Sequence, residues 1–549
     1  MKKSILSVFC LLTSVFSYAQ APAWSWAHSQ GGTDNDAIVG QWTDAMGNTF
    51  ATGTYKSPSL TFGSTTLNNT GALDFFVVKY DYSGNVVWAK TATGSNNDVG
   101  YAVTGDNSGN IYVYGCSNSA SVTFGSTTVN MQGYDDIFIL KYDSNGNLLW
   151  ARSEGGGAND VPGSISLDAS GNVYITGYFA SSSVQFGSAS TVTNMGGNDF
   201  FLAKYNSSGT ALWAVSAGSS GNESGNGIVT DAAGNSYVTG SSSSASITFG
   251  STTLNNGGGL DYFLVKYDAN GNPVWAKTAT GNNNDVGYGV AKDPSGNLFV
   301  VGTSNTLSLT FGSTTLSLSG YDDYFLVKYD VNGNVLWARS AGGSQNEIGQ
   351  AVCADALGNA YITGYFASTS FMIGSTTLTN MGSDDEYVAE YDASGNVGWA
   401  VAVGGAGADR GASISCDGYN NIYVGGHFTS GSESFGTNTL NNAGMDDISI
   451  ARLNDNAAGI IPVNNNITSL SLYPVPANNE LNIQLPQLSK QVDVSIIITD
   501  ALEKLVYTSS VSSSETLQRV DLTNFSNGVY FVTVKEGDVV ANGKFVVSK

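Results

Sequence analysis

Apolar and polar residues alternate in short runs along most of the chain. The runs 261–267 (DYFLVKY), 297–302 (NLFVVG) and 273–277 (PVWAK) are rich in Val, Phe, Tyr and Leu. Gly, Asn and Asp bound them, which is the pattern of buried or half-buried β-strands. A fourth run, 287–292 (GYGVAK), is small and flanked by glycine. No stretch after the first twenty residues sustains a period of 3.6, so helices are expected to be nearly absent. Between the DYFLVKY and PVWAK runs stands Asp-Ala-Asn-Gly-Asn, where Gly or Asn supplies the positive φ of a tight hairpin.

This set of runs repeats. Its tryptophan recurs as Trp26, Trp88, Trp150, Trp213, Trp275, Trp337 and Trp399, in steps of 62 or 63 residues. A turn of the form Asp-x-x-Gly-Asn keeps the same step at Asp44, Asp106, Asp168, Asp231, Asp293 and Asp355, and loses its glycine at Asp417. A Phe-Gly-Ser-Thr-Thr-Leu phrase begins at Phe62 and weakens by Ile373 and Phe435. Seven units of four antiparallel strands predict an all-β fold, a seven-bladed β-propeller spanning residues 20–453. The glycine strand suits the crowded centre, and the Trp strand suits the outside, where blades diverge. Residues 23–28 match a fourth strand with no third before it, and residues 446–453 match a third with no fourth after it. The N-terminal strand is therefore expected to close the last blade and remove the open edge.

The flanks differ from the repeat. Residues 1–19 read as a secretory signal: Lys2 and Lys3, an apolar run to Phe16, then a cut between Ala19 and Gln20. That run is too short to span a bilayer, and no transmembrane segment is expected later. Residues 454–466 (NDNAAGIIPVNNN) read as a linker, and residues 467–549 as a small C-terminal β-sandwich with little glycine. Three cysteines remain beyond the signal. Cys353 and Cys416 are offset by one position relative to their turns, which places them on opposite faces of their strands, so all three are expected to be small apolar fillers.

Charge narrows the partners. Residues 21–466 carry 13 Lys and Arg against 36 Asp and Glu, which accounts for the whole net charge of −23. Such a surface repels nucleic acid and anionic membrane. The line Asp-x-Phe-x-x-Lys-Tyr-Asp-x-x-Gly-Asn-x-x-Trp-Ala resembles the seven-bladed propeller repeat of bacterial secreted proteins, a family without one activity. The tail resembles the C-terminal sorting domain of the type IX secretion system of Bacteroidetes. The matching residues are Tyr473, Pro474 and Pro476 near its start, then Gly528, Val529 and Tyr530, and the ending Lys544 to Lys549. Val475 stands where that family usually has Asn. The resemblance implies export through outer-membrane secretion machinery, removal of the tail, and release or attachment at the surface.

Chemistry is sparse. The two histidines, His28 and His427, belong to different strands of the closing blade, and no nucleophile elbow, zinc helix or phosphate loop is present. No catalytic, cofactor-binding or metal-ligating constellation is identified. One acid recurs before each first strand: Asp36, Asp98, Asp160, Glu223, Asp285, Glu347 and Asp409. Near one mouth of a propeller these form a candidate ligand or cation ring, with Ca²⁺ as the fitting ion. Alternatively each carboxylate accepts amides within its own loop. A second set opens the third strands: Asp74, Asp136, Asp199, Asp261, Asp323, Asp385 and Asp447. The expectation is a secreted or surface propeller that binds an extracellular protein or glycan. The alternatives are an enzyme at the channel mouth, of the polysaccharide lyase or quinone-dependent dehydrogenase type, and a component of a surface layer or motility apparatus. An enzyme would show as a break in blade symmetry.

Overall fold

Each repeat becomes one four-stranded antiparallel sheet in the computed structural model, which describes residues 22–454, 471–475, 477–484, 494–500, 505–511, 517–523, 525–536 and 539–549. The signal segment with Ala19 and Gln20, the linker beyond Asn454, and Pro476 lie outside the described residues. The first blade pairs Asp36–Thr43, Thr49–Tyr55, Asp74–Tyr80 and Val86–Thr91 in that order. Six blades follow the chain in this way. The seventh combines Asp409–Cys416, Asn421–Phe428 and Asp447–Asn454 with the N-terminal strand Ala23–Gln30, whose register runs from Ala23 opposite Asn454 to Gln30 opposite Ile448. The closure expected from the two orphan fragments is the closure observed.

First strands line the centre. A Cβ added at Gly163 would lie 2.0 Å from the carbonyl oxygen of Gly225 in the next blade, so only glycine lets these backbones approach. Between blades the packing is aromatic. Phe75 of blade one meets Phe124 and Phe138 of blade two edge-on, and Tyr262 meets Phe311 and Phe325 one boundary before blade five in the same way. The ring is continuous across its ends. Ile38 of blade one shares a core with Trp26, Tyr423, Ile448 and Ile450 of blade seven, and Gln41 Nε2 donates to the Tyr423 carbonyl at 2.6 Å.

Two sequence expectations change. Each blade carries a further two-stranded hairpin between its second and third strands, made by the Phe-Gly-Ser-Thr-Thr phrase; in blade one it is Ser59–Phe62 with Thr65–Asn68. Strands of four residues are too short for alternation to stand out, although Leu60, Phe62 and Leu67 are buried while their neighbours are exposed. Cys353 and Cys416 form a disulfide, with Cα atoms 6.2 Å apart, and are not fillers. Both lie on first strands, in blades six and seven. Neighbouring blades present opposite faces to one another, so an offset of one position is what lets the two sulfurs meet. Cys116 remains a free, buried thiol.

The C-terminal unit begins at the boundary between Ala458 and Gly459. A three-stranded sheet (Ser471–Tyr473, Glu480–Gln484, Leu517–Asp521) faces a four-stranded one ordered Leu505–Val511, Val494–Asp500, Gly528–Glu536, Val539–Val547. Leu481, Ile483 and Val520 of the first sheet bury against Ile496, Ile498, Val532 and Phe545 of the second, which makes it a sandwich. The last strand starts at Val539 rather than Lys544, because Ala541, Asn542 and Gly543 are carried by pairing with Val534, Thr533 and Val532.

Candidate functional site

The recurring acids sit at one end of the ring, where first and third strands begin. Asp36, Asp98, Asp160, Glu223, Asp285, Glu347 and Asp409 are 0–1% exposed. Asp36 accepts bonds from the amides of Gly32, Lys56 and Ser57 at 2.8–3.1 Å and from Ser57 Oγ at 2.7 Å. Asp160 and Asp409 repeat this with Gly156 and Ser181 and with Gly405 and Ser430. Glu223 takes the Ser219 amide and Ser242 Oγ, and Glu347 the amides of Gly343 and Ser368. Each carboxylate therefore faces its own loop. The backbone of the same seven residues ties the ring: each amide donates to the residue just before the third strand of the preceding blade, from Asp36 to Asp446 O through Asp409 to Asp384 O, at 2.5–2.8 Å.

Asp98 and Asp285 depart from this scheme. Their loops begin Thr-Ala-Thr-Gly, and Thr93 and Thr280 bridge to Thr123 and Thr310 of the neighbouring hairpin. The carboxylates keep the hydroxyls of Ser117 and Ser304, but Asp98 Oδ2 and Asp285 Oδ2 have no partner. Burial pushes Asp98 up to about 6 and Asp285 up to about 7, with the facing Asp74 and Asp261 adding repulsion. The second set is held alike: Asp74, Asp199, Asp261 and Asp385 accept amides four residues upstream at 2.6–2.7 Å, and Asp136, Asp323 and Asp447 do the same. In the Asp-x-Asn-Gly-Asn turns, Asp268 Oδ1 accepts the amides of Asn270 and Asn272 at 2.9 Å, as hairpin chemistry requires.

The two histidines do not converge. His28 lies opposite Ile450 and His427 opposite Ile448, on either side of the third strand of blade seven. Among the described residues no group of three or more His, Cys, Asp or Glu is placed to hold a metal ion.

Blade symmetry breaks at the same end of the ring, where blades six and seven meet. Arg410 stands in a first-strand column that is otherwise Ala37, Val99, Val161, Ser224, Val286 and Ile348. Its Nε donates to Asp384 Oδ2 at 2.9 Å across the blade boundary, and its guanidinium lies 4.8 Å from the Tyr365 ring centroid. The Arg410 side chain is 44% exposed. His427 pairs with Arg410 in the ladder, and burial lowers its pKa while Asp446 opposes that. Asp322 and Tyr288 extend the cluster toward blade five, each acting on the same Tyr365 neighbourhood. Column-by-column comparison of the seven units shows Arg410 as an outlier, a signal that single markers such as Trp do not carry. The cluster offers a guanidinium, carboxylates and aromatic faces to one point, a set suited to a polar ligand.

In the tail, Tyr473 ends the first strand and is followed by a cis bond to Pro474. Gly528 and Val529 open the strand that carries Tyr530, whose hydroxyl donates to Ser526 O at 2.9 Å and whose ring stacks on Phe545 at 5.5 Å. Lys544 is exposed on the last strand, and Lys549 Nζ donates to Thr523 O at 2.6 Å.

Residues 471–548 match the secretion system C-terminal sorting domain family. The chain is similar to an uncharacterized WD repeat-containing protein of Acanthamoeba polyphaga mimivirus, 23% identical over 443 residues, covering 67% of this chain and 32% of that protein. It is also similar to regulatory protein FlaEY of Caulobacter vibrioides, 25% identical over 332 residues, covering 56% of this chain and 34% of that one. The chain thus spans about a third of the length of these relatives. Among solved structures, Sqt1 from Chaetomium thermophilum aligns over 78% of this chain and 85% of its own at 9% identity and TM-score 0.33. The gluconolactonase XC5397 of Xanthomonas campestris aligns over 62% and 90% at 10% identity and TM-score 0.29. The chain is a β-propeller of seven four-stranded sheets followed by a type IX secretion C-terminal sorting domain, and that domain marks it for export.

Proposed function

We propose that this is a cell-surface or released binding protein. Residues 1–19 direct it across the inner membrane, the sorting domain directs it across the outer membrane, and the propeller meets an extracellular protein or glycan. The break in symmetry at Arg410, Asp384 and Tyr365 carries the reading. Most of the ring repeats from blade to blade with short loops, which suits a scaffold. At this one point unlike side chains from two blades converge, and an exposed guanidinium stands beside an aromatic face.

The test is a glycan and protein array probed with the mature chain and with Arg410→Ala. A ligand retained by the wild type and lost by the variant supports the reading. A ligand held equally by both moves the contact elsewhere on the ring, and no ligand at all favours a purely structural role. The pairing of His427 with Arg410 on adjacent strands, with Asp446 and Asp409 acting on His427, also favours a second reading, an enzyme acting at the mouth. Turnover of an array ligand, abolished by His427→Gln with binding kept, would establish it.

A further inference from the structure

A second break in symmetry lies inside the protein, between the same two blades. At most boundaries an aromatic or aliphatic residue at the second position of the third strand packs on the next blade. Tyr262 meets Phe325 with ring centroids 5.6 Å apart, and Tyr324 meets Tyr387 at 5.7 Å. At the boundary between blades six and seven that position is Glu386. The facing third-strand position, Phe or Tyr in the six other blades, is Ser449. The facing hairpin position, Leu, Val, Ile or Phe in the six others, is Glu433. Three polar residues thus replace three apolar ones at one interface. Glu386, Glu433 and Ser449 are all at most 1% exposed.

Among the described residues no ion pair reaches Glu386 or Glu433. Both carboxylate oxygens of Glu433 and the Ser449 hydroxyl fall outside hydrogen-bond geometry with any partner, although Ser449 stands near enough to act on the Glu433 carboxylate. Glu386 Oε1 reaches across the boundary, where a Cβ added at Gly411 of blade seven would lie 3.0 Å from it. Its neighbour Thr363 Oγ1 is 3.3 Å away, yet that hydroxyl also donates to the Tyr387 carbonyl at 2.9 Å, as Thr52 does to Phe76. Thr363 therefore shares its one proton between the Tyr387 carbonyl and Glu386 Oε1, the second being the longer and weaker contact. The charges acting on Glu433 are those of Glu386, Asp409 and Asp385, all negative. Buried charges persist only when paired, protonated or bound to a metal.

We propose that Glu386, Glu433, Ser449 and Thr363 form a binding site for one hard divalent cation of the calcium class, clamping blade six to blade seven. The donors are all oxygen, and two carboxylates match the charge of a divalent ion. Calcium tolerates the irregular mix of carboxylate, hydroxyl and carbonyl oxygens that such an interface provides, whereas magnesium demands a near-ideal octahedron. The clamp lies at the boundary already bridged by the Cys353–Cys416 disulfide, so the ring would be fastened twice beside its closing blade.

The test uses the mature chain, stripped with EDTA and then dialysed against millimolar CaCl₂ or MgCl₂. Elemental analysis should find about one calcium per chain, and the melting temperature should rise in calcium over EDTA, more than in magnesium. Glu433→Gln should lose both effects. A second variant, Glu386→Tyr with Glu433→Phe and Ser449→Tyr, copies the apolar boundary formed by Tyr324, Phe371 and Tyr387. It should fold, bind no calcium and melt at the same temperature in calcium and in EDTA. The proposal is overturned if the wild type takes up no calcium, or if its stability responds to acidification alone, which would make protons the occupants. It is equally overturned if the triple variant keeps the calcium, which would place the ion elsewhere.

Discussion

The tryptophan of the repeat and the glycine of the next turn explain each other. Trp337 of blade six's predecessor donates its indole N–H to Ala393 O in the following blade at 3.1 Å, and its ring lies under Gly395. Gly395 has φ of 81°, and a Cβ there would sit 2.8 Å from the indole. One residue thus serves a hairpin and an interface at once. Trp337→Ala should cost about 3–5 kcal/mol, measured by chemical denaturation; a loss below about 1 kcal/mol would mean the indole is dispensable to the interface. Buried acids add a pH dependence. Asp98, Asp160 and Asp199 are pushed up to about 6, and Asp285 to about 7, by burial from a reference of 3.8. The folded state therefore binds more protons than the unfolded one between these values, and stability falls as pH rises through them. Asp143 and Asp268, lowered first by the side-chain amides of Asn147 and Asn272, act in the opposite direction below pH about 4. The melting temperature should decline from pH 5 to pH 8, and Asp285→Asn should flatten the decline. An unchanged slope in that variant would remove Asp285 from the account.

At the scale of strands, closure is the most exposed part of the design. The strand Ala23–Gln30 covers the edge of Asp447–Asn454, supplies Trp26, and leaves Arg452 Nη1 to donate to Tyr82 O of blade one at 3.1 Å. Removing residues 22–30 would bare that edge. Size-exclusion chromatography should then show dimers or larger species, and a variant that stays monomeric with unchanged melting would show that blade seven holds without it. The disulfide fastens the other side of the same blade. Cys353→Ser with Cys416→Ser should lower stability by about 2–4 kcal/mol, and equal melting of the two proteins under oxidising conditions would mean the bond constrains nothing. The closing strand is legible because Trp26 stands one 62-residue step before Trp88. The disulfide was not, since the offset of Cys353 and Cys416 reads as a mismatch until two facing blades are in view. The hairpins were hidden by strand length. The loop role of the seven acids was one of two readings that spacing allowed, and only the partners of Asp36 or Asp409 show where each carboxylate points. Arg410 and Glu433 are not legible from the repeated markers, because they are the residues that break the columns those markers define.

At the scale of the whole molecule, the propeller and the tail each bury a hydrophobic cluster of their own. Among the described residues the buried cluster of the tail comes from residues 477–547, with Leu472 packed against it, so its integrity depends on its own last strand. That strand, Val539–Val547, pairs along its length with Gly528–Glu536, buries Phe545 and Val547, and meets Ala477 in a parallel bridge. The final residue continues the anchoring: Lys549 donates through its backbone to Asn527 Oδ1 at 2.7 Å and through its side chain to Thr523 O. Deleting residues 544–549 would remove two core side chains and these ties together, at a cost that a unit of about 80 residues has little margin to absorb. The propeller, whose edges are closed by its own first strand, keeps all of its pairings in that deletion. The expected outcome in a type IX-competent host is therefore a folded propeller retained in the periplasm, while the intact chain reaches the surface or the medium and is shortened near the linker. Cell fractionation followed by intact mass reads both features. Export that survives the deletion, or a surface form still ending at Lys549, would mean that recognition lies outside the terminal strand and that the tail remains part of the working protein.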